Sequence, residues 1–117
     1  MTRVTIRIDF DNGQNLGHGK VRLLEMVDLH GSISSAARAM DMSYRRAWLL
    51  VDEVNRMFTS PVIETQLGGK GGGHAKLTEF GRMLVAHYRA IEKESGAVFS
   101  ERIASLEARL STMAPQD

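Results

Sequence analysis

Residues 32–58 read SISSAARAMDMSYRRAWLLVDEVNRMF, and their spacing predicts two short helices hinged at Asp41-Met42, with a polar cap before each. Ala36, Ala37 and Ala39 carry almost no side chain, so another helix can approach the first one closely and at a steep angle. The second helix opens on Ser43, whose hydroxyl can accept a hydrogen bond from an otherwise unpaired N–H one turn in. With about 3.6 residues per turn, Ala47, Leu50, Val51, Val54, Met57 and Phe58 gather on one side, and Arg45, Leu49, Asp52 and Arg56 lie opposite. One face is to be buried and the other presented. A small-residue helix, a tight turn and a second helix opening on polar and basic residues make the pattern of a helix-turn-helix, whose second helix enters the major groove of DNA.

Upstream, residues 3–10 alternate Val4, Ile6, Ile8 and Phe10 with Arg3, Thr5, Arg7 and Asp9, which predicts a half-buried strand. Residues 11–19, DNGQNLGHG, read as a loop. From Lys20 to His30 an apolar stripe of Val21, Leu23, Leu24, Met26 and Val27 predicts a helix, and Gly31 stands where a C-cap usually sits.

Downstream, Pro61 cannot continue a helix. PVIETQ and AKLT then read as two strands joined by the glycine-rich GGKGGGH. Thr78 has Gly81 one turn on, and Glu79 lies near the positive end of the helix that follows. From Glu79 to about Met113 apolar residues recur at three and four, and an unbroken helix there would be on the order of 50 Å long. So small a domain cannot cover it, and a second copy is the economical partner. The residues expected at that dimer seam are Leu84, Tyr88, Ile91, Phe99, Ile103, Leu106 and Leu110, with a kink or division near Gly96.

The expected fold is therefore mainly α with a small β-sheet: a winged helix-turn-helix followed by a long C-terminal dimerisation helix. Residues 1–78 would form the DNA-binding domain, with a recognition helix at about 43–58 and a wing at about 62–78. Residues 79–117 would form the long helix or a helix pair.

The composition bounds the function. A chain of 117 residues with 43% apolar side chains has room for one domain with a modest core. No apolar run approaches the roughly 20 residues of a membrane span, and the alternating MTRVTIRIDF is a poor secretory signal. There is no cysteine, so disulfides, thiolate metal sites and cysteine nucleophiles drop out together. A cytoplasmic location is expected. The net charge of +1 is small for a nucleic-acid binder, but its distribution is uneven. Residues 34–50 hold Arg38, Arg45 and Arg46 against Asp41 alone, and residues 66–78 hold Lys70 and Lys76 against no acid. If the two segments share a face, that face is the electrostatic footprint.

Ser43, Tyr44, Arg45 and Arg46 are the residues expected to meet DNA, because the first residues of a recognition helix approach base edges and arginine can bond two acceptors of guanine. Two arginines alone would equally suit a solvated helix face. A wing carrying Lys70 and Lys76 tips the balance, since it would reach neighbouring phosphates, and His74 beside the loop could join it. Asp52 and Arg56 are spaced as a structural i,i+4 pair. Trp48, at the edge of the apolar face, is expected to pack into the core.

GGKGGG invites comparison with a phosphate-cradling loop, but neither Gly69-Lys70 nor Gly19-Lys20 has the spacing of a P-loop. A flexible hairpin tip is the plainer alternative. The histidines His18, His30, His74 and His87 fall in separate elements, which is no zinc pattern. With no G-x-S-x-G elbow and no carboxylate pair outside solvated helix faces, neither an enzyme nor a cofactor or metal site is expected.

HGSISSAARAMDMSYRRAWLLVDEVN followed by LGGKGGGHAKLTEFGRMLVAHYR resembles the N-terminal DNA-binding domain of the molybdate-responsive ModE family, and more distantly the winged helix of LysR-type regulators. The likeness covers roughly residues 18–90 and rests on SAA, MSY with AW, GGKGGG and LT-FG-R. It implies a winged helix-turn-helix, a homodimer made through the helix after the wing, and transcriptional control of molybdenum-related genes by operator binding. By motif position it implies DNA contacts from the helix beginning at Ser43 and the wing around Lys70. Full-length members carry a C-terminal molybdate-binding region of small β-barrel type, and nothing after residue 90 reads as β-rich. The expectation is a stand-alone DNA-binding protein, or one regulated by an unidentified effector or protein partner. Two rivals stay open: a protein-interaction module on the same scaffold, and an oxyanion sensor acting through the glycine loop.

Overall fold

A computed structural model describes residues 2–66 and 73–111. The described chain runs β1 (Arg7–Asp9), β2 (Asn15–Gly17), α1 (His18–His30), α2 (Ile33–Ala39), α3 (Tyr44–Met57), β3 (Ile63–Gln66), β4 (His74–Leu77), α4 (Glu79–Val98) and α5 (Ser100–Glu107). It is mainly α, with two small antiparallel sheets, β1–β2 and β3–β4.

Helix α1 is the centre of the core. Its apolar stripe buries Val21, Leu23, Leu24, Met26 and Val27 against α2, α3, α4 and β4. It ends where expected, at Gly31, whose left-handed φ of 79° lets its N–H turn back to the Val27 carbonyl at 2.8 Å. Its start is two residues earlier than the sequence suggests, at His18.

That shift belongs to a larger correction. Residues 11–19 are not all loop, because Asn15–Gly17 form β2 and pair with β1, Ile8 opposite Leu16. The turn between them is closed by Phe10 N–H on the Gln14 carbonyl, at 2.8 Å, and uses a positive φ at Gly13. Leu16 is the buried anchor of this strand. One apolar residue among polar and glycine neighbours leaves no period to read. The expected strand 3–10 is correspondingly short, although burial alternates as its sequence does, with Ile6 and Ile8 half-buried and Arg7 and Asp9 exposed.

The β3–β4 hairpin pairs Ile63 with Leu77 through to Gln66 with His74. Its outer edge is closed by α1: Leu77 N–H donates to Asp28 Oδ1 at 3.0 Å, and Ala75 N–H donates to the Gly31 carbonyl at 2.8 Å. Satisfying an edge in this way leaves little for another strand to join. The connecting residues 67–72, with the expected phosphate contact Lys70, lie outside the described residues.

Helix α4 starts on the Thr78 cap, whose hydroxyl accepts from Gly81 N–H at 2.9 Å and donates to the Pro61 carbonyl at 2.7 Å. Helical structure passes through Gly96 and breaks three residues later, at Phe99. Glycine costs a helix only about 1 kcal/mol relative to alanine, and here Val4 of the N-terminal segment lies over it. At Phe99 the chain leaves helical geometry, its N–H still donating to the Ser95 carbonyl while its own carbonyl accepts from Ile103 as α5 begins. No helix among the described residues is long and apolar enough to cross a membrane.

Candidate nucleic-acid interface

Ser32 caps α2 by accepting from Ser35 N–H at 3.0 Å, and Ser43 caps α3 by accepting from Arg46 N–H at 3.1 Å. Between the helices Asp41 takes φ 55°, a conformation short polar residues tolerate better than most. Met42 N–H donates to the Ala37 carbonyl at 3.0 Å across the turn. Ala36 and Ala37 are buried with Ala47, Val51 and Val54 of α3, as the spacing requires. Ala39 is exposed and takes no part in that close approach.

This packing turns Ser43, Tyr44, Arg45 and Arg46 outward together at the start of α3. Among the described residues, neither the Arg45 nor the Arg46 guanidinium has an ion pair or a hydrogen bond. Arginines in such a state keep all their donors for a ligand. Asp52 and Arg56 do pair, at 3.0 Å. Arg38 is bonded to its own helix, through Ser34 and Ser35 at 3.2 Å each.

Trp48 is not in the core. It is 45% exposed, and Tyr44 and Leu49 beside it are 56% and 49% exposed. The apolar side of α3 is occupied by Ala47, Val51 and Val54, and Trp48 is turned about 100° from Ala47.

In the hairpin, His74 and Lys76 are exposed on β4. Lys76 stands opposite Glu64 and pairs with it at 3.5 Å, which partly neutralises the basic wing. Glu64 falls just before the acid-free window of the sequence, and only the strand register brings the two together.

Two contacts fix α3 within the domain, and the sequence did not announce either. Lys20 Nζ, largely buried, bonds the Asn15 carbonyl and Glu53 of α3 at 2.9 Å each. Asn55 Oδ1 accepts from the N–H groups of Val62 and Ile63, at 2.7 and 3.0 Å. Helix α3 is thereby tied to the hairpin.

The expected dimer seam needs correction. Leu84 is 7% exposed and Tyr88 1%, so both belong to the core of the chain itself. Tyr88 also donates its hydroxyl to the Ile6 carbonyl at 2.7 Å. Burial, then the neighbouring Glu92 carboxylate, push its phenol above the ordinary value of 10.0. Beside it Arg89 grips Glu25 of α1 with two bonds, of 2.6 and 3.2 Å, and Glu92 at 2.8 Å. The bond to Glu25 is the chief cause holding this guanidinium even above its ordinary high range. Of the remaining seam residues Ile91, Phe99, Leu106 and Leu110 are exposed and Ile103 is half-buried. Met83 and Val98 of α4 are exposed with them.

No family model matches the chain. It is 40% identical over 87 residues to the molybdenum transport protein ModE of Azotobacter vinelandii, covering 74% of this chain and 32% of that protein. It is 44% identical over 80 residues to the molybdenum-pterin-binding protein MopB of Rhodobacter capsulatus, covering 68% of this chain and 30% of that one. To the DNA-binding transcriptional dual regulator ModE of Escherichia coli K12 it is 39% identical over 69 residues, 59% of this chain and 26% of that protein. The chain is thus similar to ModE and Mop proteins, and spans about a third of the length of these relatives or less.

Proposed function

We propose that the chain is a ModE-type, sequence-specific DNA-binding regulator of transcription that acts in the cytoplasm as a homodimer on an inverted-repeat operator. The observation that carries this reading is the pair of exposed arginines at the capped start of α3, without a side-chain partner among the described residues and held outward by the α2–α3 packing. Similarity to an Escherichia coli protein named as a DNA-binding regulator supports it, and the names of the relatives favour molybdenum-related genes as targets. Arg45 and Arg46, with Ser43 and Tyr44, meet base edges and the flanking phosphates, and His74, Lys76 and Lys70 of the wing meet phosphates further along. Residues 1–78 act as the DNA-binding unit and residues 79–117 as the dimer arm. Its seam uses Ile91, Phe99, Ile103, Leu106 and Leu110, joined by Met83 and Val98 in place of the buried Leu84 and Tyr88. Two recognition helices then lie about 34 Å apart, one DNA turn.

Selection of duplexes from a random library by the purified protein tests the reading, with an Arg45→Ala, Arg46→Ala double variant as control. Enrichment of a palindrome that the variant loses is the expected result. On that palindrome Arg45→Ala costs about 1–3 kcal/mol, whereas Lys70→Ala weakens all sequences alike and lowers the salt slope. Equal losses for Arg45→Ala on operator and random DNA would refute its base-reading role.

A second reading is a protein-interaction module. The exposed apolar residues of α4 and α5, the net charge of +1 and the Lys76–Glu64 pair favour it. No enrichment even at low salt, where phosphate contacts are strongest, would overturn the first reading and turn the search to a protein partner along residues 79–113. An oxyanion sensor acting through the glycine loop would give heat on titration with molybdate, and the regulator proposed here gives none.

A further inference from the structure

Large apolar side chains exposed on a helix are costly unless something covers them, and on α3 they are not scattered. Tyr44, Trp48 and Leu49 are adjoining residues of its first two turns, and they border Arg45. Leu49 follows Arg45 by one turn on the outermost line of the helix. Trp48 lies on the flank shared with Asn55, seven residues on, which is the flank facing the start of β3. Neither is needed for the core, whose α3 side is filled by Ala47, Val51 and Val54.

On a helix lying in the major groove an apolar side chain has one base-specific partner. Guanine, cytosine and adenine present only donors and acceptors there, while thymine presents its C5-methyl group. Resting on the DNA-binding reading above, we infer that Trp48 and Leu49 read thymine methyl groups in the operator, next to the base met by Arg45. The binding site then contains A·T pairs fixed by apolar contact beside a G·C pair fixed by hydrogen bonds.

Deoxyuridine tests this directly, because it removes the methyl group and leaves the pairing edge unchanged. Each thymine of the duplex enriched by the wild-type protein is replaced in turn, and affinities are measured for wild type, Trp48→Ala and Leu49→Ala. The expected result is a loss of about fourfold for wild type at one or two thymines of each half-site, the worth of one buried methyl group. That loss disappears at one thymine in Trp48→Ala and at another in Leu49→Ala. Both side chains stand outside the core, so the variants should fold. An independent reading comes from the wild type itself, whose single tryptophan is Trp48. Its emission should shift on the enriched duplex and shift less on a random duplex at equal occupancy. Losses on deoxyuridine that persist undiminished in both variants, no losses at any thymine, or identical emission on both duplexes would overturn the inference while leaving DNA binding intact. Failure to enrich any duplex overturns the regulator reading, and this inference with it, before the deoxyuridine series begins.

Discussion

Asn55, near the end of α3, holds Ile63, the first residue of β3, by both ends of its amide: Oδ1 accepts from Ile63 N–H at 3.0 Å, and Nδ2 donates to the Ile63 carbonyl at 3.2 Å. The same oxygen takes Val62 N–H, at 2.7 Å. Val62 and Ile63 are buried, so without Asn55 their N–H groups lose a partner that water cannot easily replace. Asn55→Ala should therefore lower stability by about 1–3 kcal/mol, read as a lower urea midpoint. Asn55→Asp keeps the acceptor oxygen but turns a second, charged oxygen toward the Ile63 carbonyl, so it too should cost stability. An Asn55→Ala midpoint equal to that of wild type would show that these bonds contribute nothing.

Gly81 supplies a second test of the join between hairpin and α4. A Cβ at this position would lie 2.1 Å from the Val62 carbonyl oxygen and 3.0 Å from a Leu77 methyl. The nearer atom is backbone and is itself bonded to Thr78 N–H at 3.0 Å, so it cannot turn aside. Gly81→Ala is expected to destabilise by about 1–3 kcal/mol through overpacking, outweighing alanine's gain of about 1 kcal/mol in helix propensity. A thermal midpoint at or above that of wild type would contradict this.

Leu84 and Ile91 stand seven residues apart on one stripe of α4, yet Leu84 is buried in the core and Ile91, a residue of the proposed seam, is exposed. Leu84→Asp places a carboxylate in the core and should abolish cooperative unfolding. Ile91→Asp, where the same stripe is exposed, should leave a folded chain whose sedimentation shifts from dimer toward monomer. A folded Leu84→Asp variant would contradict its place in the core, and an Ile91→Asp variant with unaltered sedimentation would contradict the proposed dimer seam.

Tyr88 gives the pH dependence. Its phenol is raised above 10.0 in the folded chain, by burial first and by Glu92 second. The folded state therefore holds this proton when the unfolded state has released it, and stability falls as pH rises from about the unfolded value through the folded one. Below the unfolded value the contribution is complete and flat. Urea midpoints measured from neutral to strongly alkaline pH should decline in that upper range, and Tyr88→Phe should decline less steeply while starting lower for want of the bond to Ile6. Parallel curves for the two proteins would remove Tyr88 as the cause.

The local signals were accurate where physics is local. Ser32, Ser43 and Thr78 cap the helices that the spacing assigns to them, Gly31 ends α1 with a left-handed φ, and α2 and α3 begin and end close to their expected bounds. A cap bonds an N–H three residues away, so its reading needs no knowledge of the rest of the chain. The outward placement of Arg45 was legible for a related reason: the period of α3 sets it opposite Ala47, Val51 and Val54, whereas Tyr44, seven residues before the buried Val51 on the same line, is exposed against that period.

The sequence by itself determined which segments are helical, where they are capped and which side of α3 faces away from the core. Tertiary structure decided the rest. β2 exists because Leu16 finds a buried place beside Ile8, and Trp48 stays outside because smaller residues already fill the space under α3. Lys76 is partly neutralised because strand register sets it against Glu64. How far along α4 the covering extends was hidden for a similar reason. Leu84, Tyr88, Ile91 and Val98 follow one stripe of the helix, and a period alone cannot say where along that stripe burial ends. That limit is set by what packs against it: α1, the hairpin and the N-terminal segment cover Leu84 and Tyr88, and Ile91 and Val98 further along stay exposed.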